Sequence, residues 1–129
     1  MEPGTYEIVN AKGHCLRGAG GFNSKALIGA CDTRWKVARS AERDGFVITH
    51  TTTANRLARA LELIYPPRAA TLPCDLARTP PWTFTDAGEN RVTISIGGSV
   101  HLTDPGGDRR TVVLLAPGVD GQQWTLRRG

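Results

Sequence analysis

No apolar stretch of this 129-residue chain approaches the ~20 consecutive residues that span a bilayer, because its apolar 40% is divided among short runs. The N-terminus also lacks a charged segment followed by an apolar core, which a secretory signal would need. We therefore expect a cytoplasmic protein without a membrane span. A chain of this length forms one domain and can bury a core without metals or disulfides.

Aromatic residues make up only 6% of the chain, although its net charge is +4. The basic residues are scattered, and no aromatic side chains alternate with them as a base-stacking surface for nucleic acid requires. Nucleic acid is therefore not an expected partner.

Motifs for metal binding and catalysis are absent as well. The three cysteines, Cys15, Cys31 and Cys74, leave at least one thiol unpaired and lack zinc-site spacing. The histidines have no Ser/His/Asp order or paired carboxylates around them, and the glycine-rich segment 18–21 is not followed by the Lys-Ser/Thr of a phosphate loop. We expect neither a cofactor nor an enzyme.

The three tryptophans occur in one repeated context, a turn followed by Trp, a polar residue and an apolar residue. They are Trp35, Trp82 and Trp124, and their separations are 82 − 35 = 47 and 124 − 82 = 42 residues. A period of this size predicts three copies of one structural unit. We place the units at about 4–43, 44–88 and 89–129 of a single domain.

Each unit contains four short segments that alternate apolar and polar residues and are rich in β-branched side chains. The predicted strands are 5–9, 14–17, 25–30 and 34–37, then 46–50, 56–59, 61–65 and 81–84, then 91–96, 99–103, 111–115 and 123–126. Segment 56–64 also has helical apolar spacing, but its place in the repeat favours two strands. Segment 71–75 matches 28–32 in sequence. Twelve strands closed on themselves leave no exposed edge, so we predict an all-β β-trefoil with a core tryptophan in each unit.

The segment Gly13-His14-Cys15-Leu16, the glycine-rich loop after it, and Gln122-Gln123-Trp124 resemble the ricin-B-like, or Gln-x-Trp, β-trefoil family. The opening Gly4-Thr5-Tyr6-Glu7-Ile8-Val9-Asn10 looks most like the cytosolic β-trefoil lectins of mushrooms. This resemblance implies a disulfide between Cys15 and Cys31. It leaves Cys74 free, because Ala58 stands at the matching place.

The resemblance also implies a sugar site in each unit, made of an Asp after the second strand, an aromatic residue on the third strand and an Asn before Gln-x-Trp. Arg17 and Arg59 stand at or near the Asp position of units one and two, and no unit has the stacking aromatic. Unit three has Val113 at the stacking position and Gly121 in place of the Asn. It still offers polar side chains, and these are His101, Asp104, Asp108, Asp120 and Gln122.

We therefore expect a carbohydrate-binding protein with degenerate sites, of which unit three is the best preserved, and a glycan or glycoprotein as its partner. Weak binding at each site would be raised by several sites or by a homodimer. Asp120 and Gln122 have an alternative interpretation as turn and core-capping residues.

Protease inhibition is the alternative function, because the resemblance extends to mushroom β-trefoil inhibitors of serine and cysteine proteases. An inhibitor needs a stiff, exposed loop that offers an extended peptide. Three segments fit this description: 22–25, 65–68 with its prolines, and 107–110. Their candidate contact residues are Asn23, Lys25, Arg68, Arg109 and Arg110, the last two for a trypsin-like pocket. Each segment could equally be an ordinary solvated loop.

Overall fold

The computed structural model describes residues 1–128, which form thirteen β-strands and no helix. The strands are β1 (Gly4–Val9), β2 (Cys15–Arg17), β3 (Ser24–Lys25), β4 (Leu27–Gly29), β5 (Trp35–Arg39), β6 (Phe46–His50), β7 (Arg56–Arg59), β8 (Ala69–Leu72), β9 (Trp82–Gly88), β10 (Arg91–Ile96), β11 (Val100–Thr103), β12 (Val113–Leu115) and β13 (Trp124–Arg128). These residues therefore contain no helix able to cross a membrane.

Six of the strands close into a barrel. Strand β1 pairs with β5, β5 with β6, β6 with β9, β9 with β10, β10 with β13, and β13 returns to β1, always antiparallel. Three hairpins, β2–β4, β7–β8 and β11–β12, are attached to this barrel. A closed barrel leaves no unpaired edge among these six strands. The arrangement is the β-trefoil that the sequence predicts.

Three buried residues mark the pseudo-threefold axis at the hairpin end of the molecule. The backbone N–H of Ala26 donates to the carbonyl of Ala69 (3.1 Å), Ala69 donates to Val112 (2.9 Å), and Val112 donates back to Ala26 (2.9 Å). All three residues are fully buried. Side chains this small allow the three backbones to approach one another closely, and the ring of bonds fixes how the three hairpins sit together.

All three tryptophans lie in the shared core, and each makes the same hydrogen bond. The indole Nε1 atoms of Trp35, Trp82 and Trp124 donate to the backbone carbonyls of leucines on β2, β7 and β11 at 3.0, 3.0 and 3.1 Å. Each tryptophan begins a barrel strand, β5, β9 or β13, and contacts the hairpin that precedes that strand in the chain. The repeated context of the tryptophans in sequence therefore corresponds to a repeated contact in the structure.

The prediction of a strand at 61–65 is wrong, because this segment is an exposed loop and the strand that pairs with β7 is β8. The alternation in 61–65 imitates a strand, but Leu63 is 94% exposed and packs against no core. Ala69 of β8 takes the buried place at the axis that Ala26 and Val112 take in the other hairpins. The match between 71–75 and 28–32 pointed to this later segment. The thirteenth strand, β3, is a two-residue addition that pairs with β8.

Candidate functional site

A cluster of exposed apolar side chains occupies the loop between β7 and β8. We name residues 61–65 the apolar loop; Leu63 is 94% exposed, Tyr65 87% and Ile64 57%. Phe22 is 63% exposed and lies in the turn before β3. Its neighbour Asn23 accepts a hydrogen bond from the backbone of Leu61 in the apolar loop. Most large apolar side chains of the described chain are buried, so this concentration at one place is unusual.

The ends of the apolar loop are fixed by backbone hydrogen bonds. The N–H of Ala60 donates to the carbonyl of Arg68 at 3.0 Å, which closes the base of the loop. The carbonyl of Pro67 accepts the N–H of Leu114 at 2.8 Å, which ties the same base to β12. The loop therefore projects from an anchored base.

Asn23 supports the loop from the neighbouring hairpin. Its side-chain Oδ1 accepts the backbone N–H of Leu61 at 3.0 Å, and its Nδ2 donates to Glu62 Oε1 at 2.9 Å. Asn23 has a φ of +49°, a left-handed conformation that asparagine adopts more readily than most residues. Residues 61 and 62 have no paired strand, and the two hydrogen bonds with the Asn23 side chain hold them instead.

Arg68 completes the support beneath the loop. Its Nε and Nη2 atoms donate to the two carboxylate oxygens of Glu62, and Nη2 also donates to the carbonyl of Asn23 at 3.0 Å. A two-pronged arginine–carboxylate pair is among the stronger and more directional contacts in proteins. Hydrogen bonds from Arg68, and then from Asn23, lower the pKa of the Glu62 carboxyl to about 2. We name Asn23, Glu62 and Arg68 the loop-support network.

The five residues predicted for an inhibitory loop differ in how available their side chains are to a partner. Asn23 and Arg68 belong to the loop-support network, and the Arg68 side chain is only 12% exposed, so its guanidinium is not available to a trypsin-like pocket. Lys25 is exposed, but its backbone lies in β3, paired with Ala70. The exposed Arg109 and Arg110 lie in the third hairpin loop, next to residue 111, which bridges to Leu27.

The three predicted loops lie at the same end of the molecule, around the pseudo-threefold axis. Equivalent bridges join Lys25 to Ala70, Arg68 to Val113, and Thr111 to Leu27. The apolar side chains at 61–65 were not among the predicted contact residues. Their signal in the sequence was an apolar run directly before Pro66-Pro67, which also fits a strand.

The polar residues predicted for a sugar site in unit three are largely engaged within the fold. Asp104 Oδ2 accepts Asn10 Nδ2 at 2.9 Å, and Asp104 Oδ1 accepts the N–H of Gly106 at 3.0 Å. Gln122 is buried, and its Nε2 donates to Thr103 Oγ1 (3.1 Å) and to the carbonyl of Ala116 (2.8 Å). The Gln122 amide thus holds the turn before β13.

The other predicted residues of this site differ in their exposure to solvent. His101 is buried, and within residues 1–128 its Nδ1 has no hydrogen-bond partner. Asp108 and Asp120 are exposed. The only aromatic residue in positions 89–129 is Trp124, which is fully buried, so unit three itself supplies no stacking surface for a sugar ring.

Gly121 occupies the position where the family resemblance implies an asparagine. Its φ is +87°, and its carbonyl accepts the N–H of Asp104 at 2.8 Å. A Cβ atom at this position would overlap the carbonyl oxygen of Asp104. The close approach of the two backbones therefore excludes any side chain here, including that of a sugar-binding asparagine.

The first unit has an ion pair where the resemblance implies a sugar-binding aspartate. Arg17 Nη2 lies 2.7 Å from Asp32 Oδ2, and both side chains are solvent-exposed. The hydrogen bond from Arg17 is the main cause of a lowered pKa of the Asp32 carboxyl. An arginine that already has a carboxylate partner offers little to a neutral sugar.

Cys15 and Cys31 form a disulfide, and Cys74 is a free, exposed thiol. Both disulfide sulfurs lie close to the Glu7 carboxylate, but the sulfurs are bonded to each other and Glu7 accepts a hydrogen bond from Arg127 Nε at 2.8 Å. This group is therefore not a free set of metal ligands. Disulfides are typical of oxidising compartments, whereas the sequence predicts a cytoplasmic protein, and the location stays a prediction.

No family model and no curated protein matches the chain. Solved structures do. The Macrolepiota procera ricin B-like lectin in complex with lactose is 20% identical, covers 97% of this chain and 95% of its own, and gives a TM-score of 0.75. A proteinase inhibitor from Coprinopsis cinerea is 14% identical, with coverages of 100% and 99% and a TM-score of 0.73. The designed three-fold symmetric protein ThreeFoil is 13% identical, with coverages of 97% and 99% and a TM-score of 0.82. These likenesses show that the chain has the β-trefoil fold, which it shares with lectins and an inhibitor alike.

The close approach at Gly121 predicts a large loss of stability in Gly121→Ala. The left-handed φ costs a non-glycine residue about 1–2 kcal/mol, and the overlap with the Asp104 carbonyl adds about 1–3 kcal/mol. Gly118→Ala is the matched control, because Gly118 has a similar φ of +93° but nothing within 4 Å of its added Cβ. Urea unfolding should show a loss of about 2–5 kcal/mol for Gly121→Ala and of only about 1–2 kcal/mol, the cost of the left-handed φ, for Gly118→Ala. Equal losses would contradict the steric argument.

The loop-support network predicts a specific dependence of stability on pH. The lowered pKa of Glu62 means that the folded protein binds this proton more weakly than the unfolded chain, whose value is near 4.5. The contribution to stability is therefore fully present above pH 4.5 and is lost as the pH falls toward 2. Unfolding free energies of the wild type and Glu62→Gln should differ most above pH 4.5 and converge below it. The exposed Glu42→Gln variant is the control, and a wild-type-to-Glu62→Gln difference that stays constant with pH would contradict the assignment.

Proposed function

We propose that this chain is a non-catalytic, protein-binding β-trefoil of the proteinase-inhibitor type, with the apolar loop as its contact surface. The observation that carries the proposal is that Leu63 and Tyr65 stand almost fully exposed on a loop whose base is closed by hydrogen bonds. Exposed clusters of large apolar side chains mark interaction sites, since they add no stability to the free protein and favour aggregation.

The loop-support network gives the loop the property that an inhibitor needs. A flexible loop loses conformational entropy when it binds, which weakens the complex, whereas a loop already held in one conformation avoids much of this cost. Asn23 bonds to the backbone at the start of the apolar loop, and Arg68 holds Glu62 from below. The side chains of Leu63, Ile64 and Tyr65 take no part in these bonds and are left for the partner.

The chemistry of the loop favours a serine proteinase with an apolar primary pocket. Leu63 is the most exposed large apolar side chain of the described residues and stands at the centre of the loop. A leucine side chain suits a hydrophobic slot such as that of chymotrypsin, whereas trypsin selects a basic side chain. Arg68, the basic residue that contacts the loop, is already paired with Glu62.

Leu63→Ala tests this assignment. Truncation of a central contact residue typically costs 2 kcal/mol or more, so the inhibition constant for chymotrypsin should rise by about 30-fold or more. Val119→Ala, which truncates an exposed apolar side chain in the turn before Gly121, should leave inhibition unchanged. Leu63→Arg should shift inhibition from chymotrypsin to trypsin. A wild-type protein that fails to inhibit chymotrypsin, elastase, trypsin and papain at stoichiometric concentration would refute the proposal.

Glycan binding through Asp104 is the second candidate function. The observation in its favour is a partly exposed carboxylate held in position by Asn10, a geometry suited to accepting hydrogen bonds from sugar hydroxyls. The sequence places glycan binding ahead of inhibition. The geometry favours the reverse order, because the stacking surface and the asparagine are missing and Gln122 is used internally. A glycan or glycoprotein partner and a homodimer belong to this second candidate.

A glycan array probed with the wild type and two variants tests the second candidate. Any glycan that the wild type retains should be lost in Asp104→Ala, because the variant removes the carboxylate that would accept the sugar hydroxyls. Asp108→Ala removes an exposed carboxylate of the same loop and should keep the binding. Binding that survives in Asp104→Ala would place the sugar elsewhere, and the absence of any bound glycan would remove this candidate.

A further inference from the structure

A cleft of about 350 Å³ lies beside β6, β7 and the start of β9, and no residue of the apolar loop lines it. It is bounded by the turn at 40–43, by β6 and β7, and by the segment at 77–82. Phe46, Leu57 and Trp82, which line its inner side, are almost completely buried. The volume is in the range of about 300–1,000 Å³ that is typical of sites for small molecules.

The polar lining of this cleft is dominated by arginine. Arg43, Arg56 and Arg78 line it, and Glu42 is the one carboxylate among the lining residues, so the formal charge of the lining is 3 − 1 = +2. Among residues 1–128, none of these three guanidinium groups has an ion pair or a side-chain hydrogen bond. By contrast, Arg17, Arg68 and Arg127 each have a carboxylate partner.

The backbone positions of the three arginines are fixed by the fold. Arg56 is the half-buried first residue of β7, paired with Leu72 on one side and Thr49 on the other. Arg43 lies in the turn that Ser40 N closes by donating to the carbonyl of Gly45 at 2.9 Å. Arg78 follows a turn in which its own N–H donates to the carbonyl of Leu76 at 2.9 Å. Like charges held around one cleft repel each other, and an anion between them removes this repulsion.

We propose that this cleft is a binding site for a small molecule that carries a phosphate monoester. A phosphate monoester has a charge of about −1.5 to −2 near pH 7, which matches the +2 of the lining. Guanidinium groups bind phosphate through paired, planar N–H donors, and this geometry makes arginine the common choice for such ligands. The site is independent of the apolar loop and of Asp104, so it stands whether or not the proposed function does.

Phenyl phosphate is the probe for this site, and calorimetric titration of the full chain measures its dissociation constant. Arg56→Gln and Arg78→Gln should each raise that constant by about tenfold or more, because each removes charged hydrogen bonds to the phosphate. Arg109→Gln removes an exposed arginine outside the cleft and should leave the constant unchanged. Arg78 is exposed, so its replacement keeps the test informative even if Arg56→Gln folds poorly.

Two further measurements separate a built site from general attraction to a basic protein. Binding of phenyl phosphate should weaken below about pH 6, where the phosphate takes up a proton, and phenyl sulfate, which keeps a single negative charge, should bind more weakly without that pH dependence. Cys74 also lines the cleft, so bound phenyl phosphate should slow its alkylation by the uncharged reagent iodoacetamide. No binding at millimolar concentration, or an equal loss in Arg109→Gln, would overturn the proposal.

Discussion

The contact on which the rest of this structure depends is a hydrogen bond from a buried indole to the backbone of a neighbouring hairpin. It occurs three times, from Trp35, Trp82 and Trp124 to the carbonyls of Leu16, Leu57 and Leu102. A buried indole N–H without a partner would cost about 1–3 kcal/mol, so the hairpin must supply its carbonyl at one position only. Each tryptophan thereby fixes the register between the barrel and one hairpin. The ring of bonds between Ala26, Ala69 and Val112 then fixes the three hairpins to one another.

Because this frame is repeated, the three hairpins differ most clearly in what their loops carry. The second loop presents apolar side chains, and it borrows its support from the first hairpin through Asn23. The third loop instead turns through Gly106 and Gly107 and is held at its start by Asp104. The barrel and its three hairpins form the common frame, and the loops on it differ in chemistry, which is consistent with lectins and an inhibitor sharing one fold.

The positions that would form a sugar site by resemblance to sugar-binding proteins are used by this chain for its own fold. Gln122 holds a turn, and the backbone at Gly121 lies too close to Asp104 for a side chain. Arg17 is paired with Asp32 at the corresponding place in the first unit. Each of these residues satisfies a requirement of the fold itself. The exposed apolar loop and the arginine-lined cleft, in contrast, contain groups that the fold leaves without partners.

The sequence by itself determined the fold, because the spacing of three tryptophans and the alternation of short strands report a repeated packing contact that involves residues close in the chain. It also named Asn23 and Arg68 as candidate contact residues, but the hydrogen bonds that place them in the loop-support network followed only from the tertiary structure. Asn23 meets Glu62 across 39 residues and Arg68 across 45, and no local pattern encodes such a contact. Segment 61–65 could not be assigned from its pattern, because alternating apolar residues occur in a buried strand and in an exposed loop alike. What decided between them was the tertiary pairing of β7 with β8, in which Ala69 takes the buried place at the pseudo-threefold axis that Ala26 and Val112 take in the other hairpins.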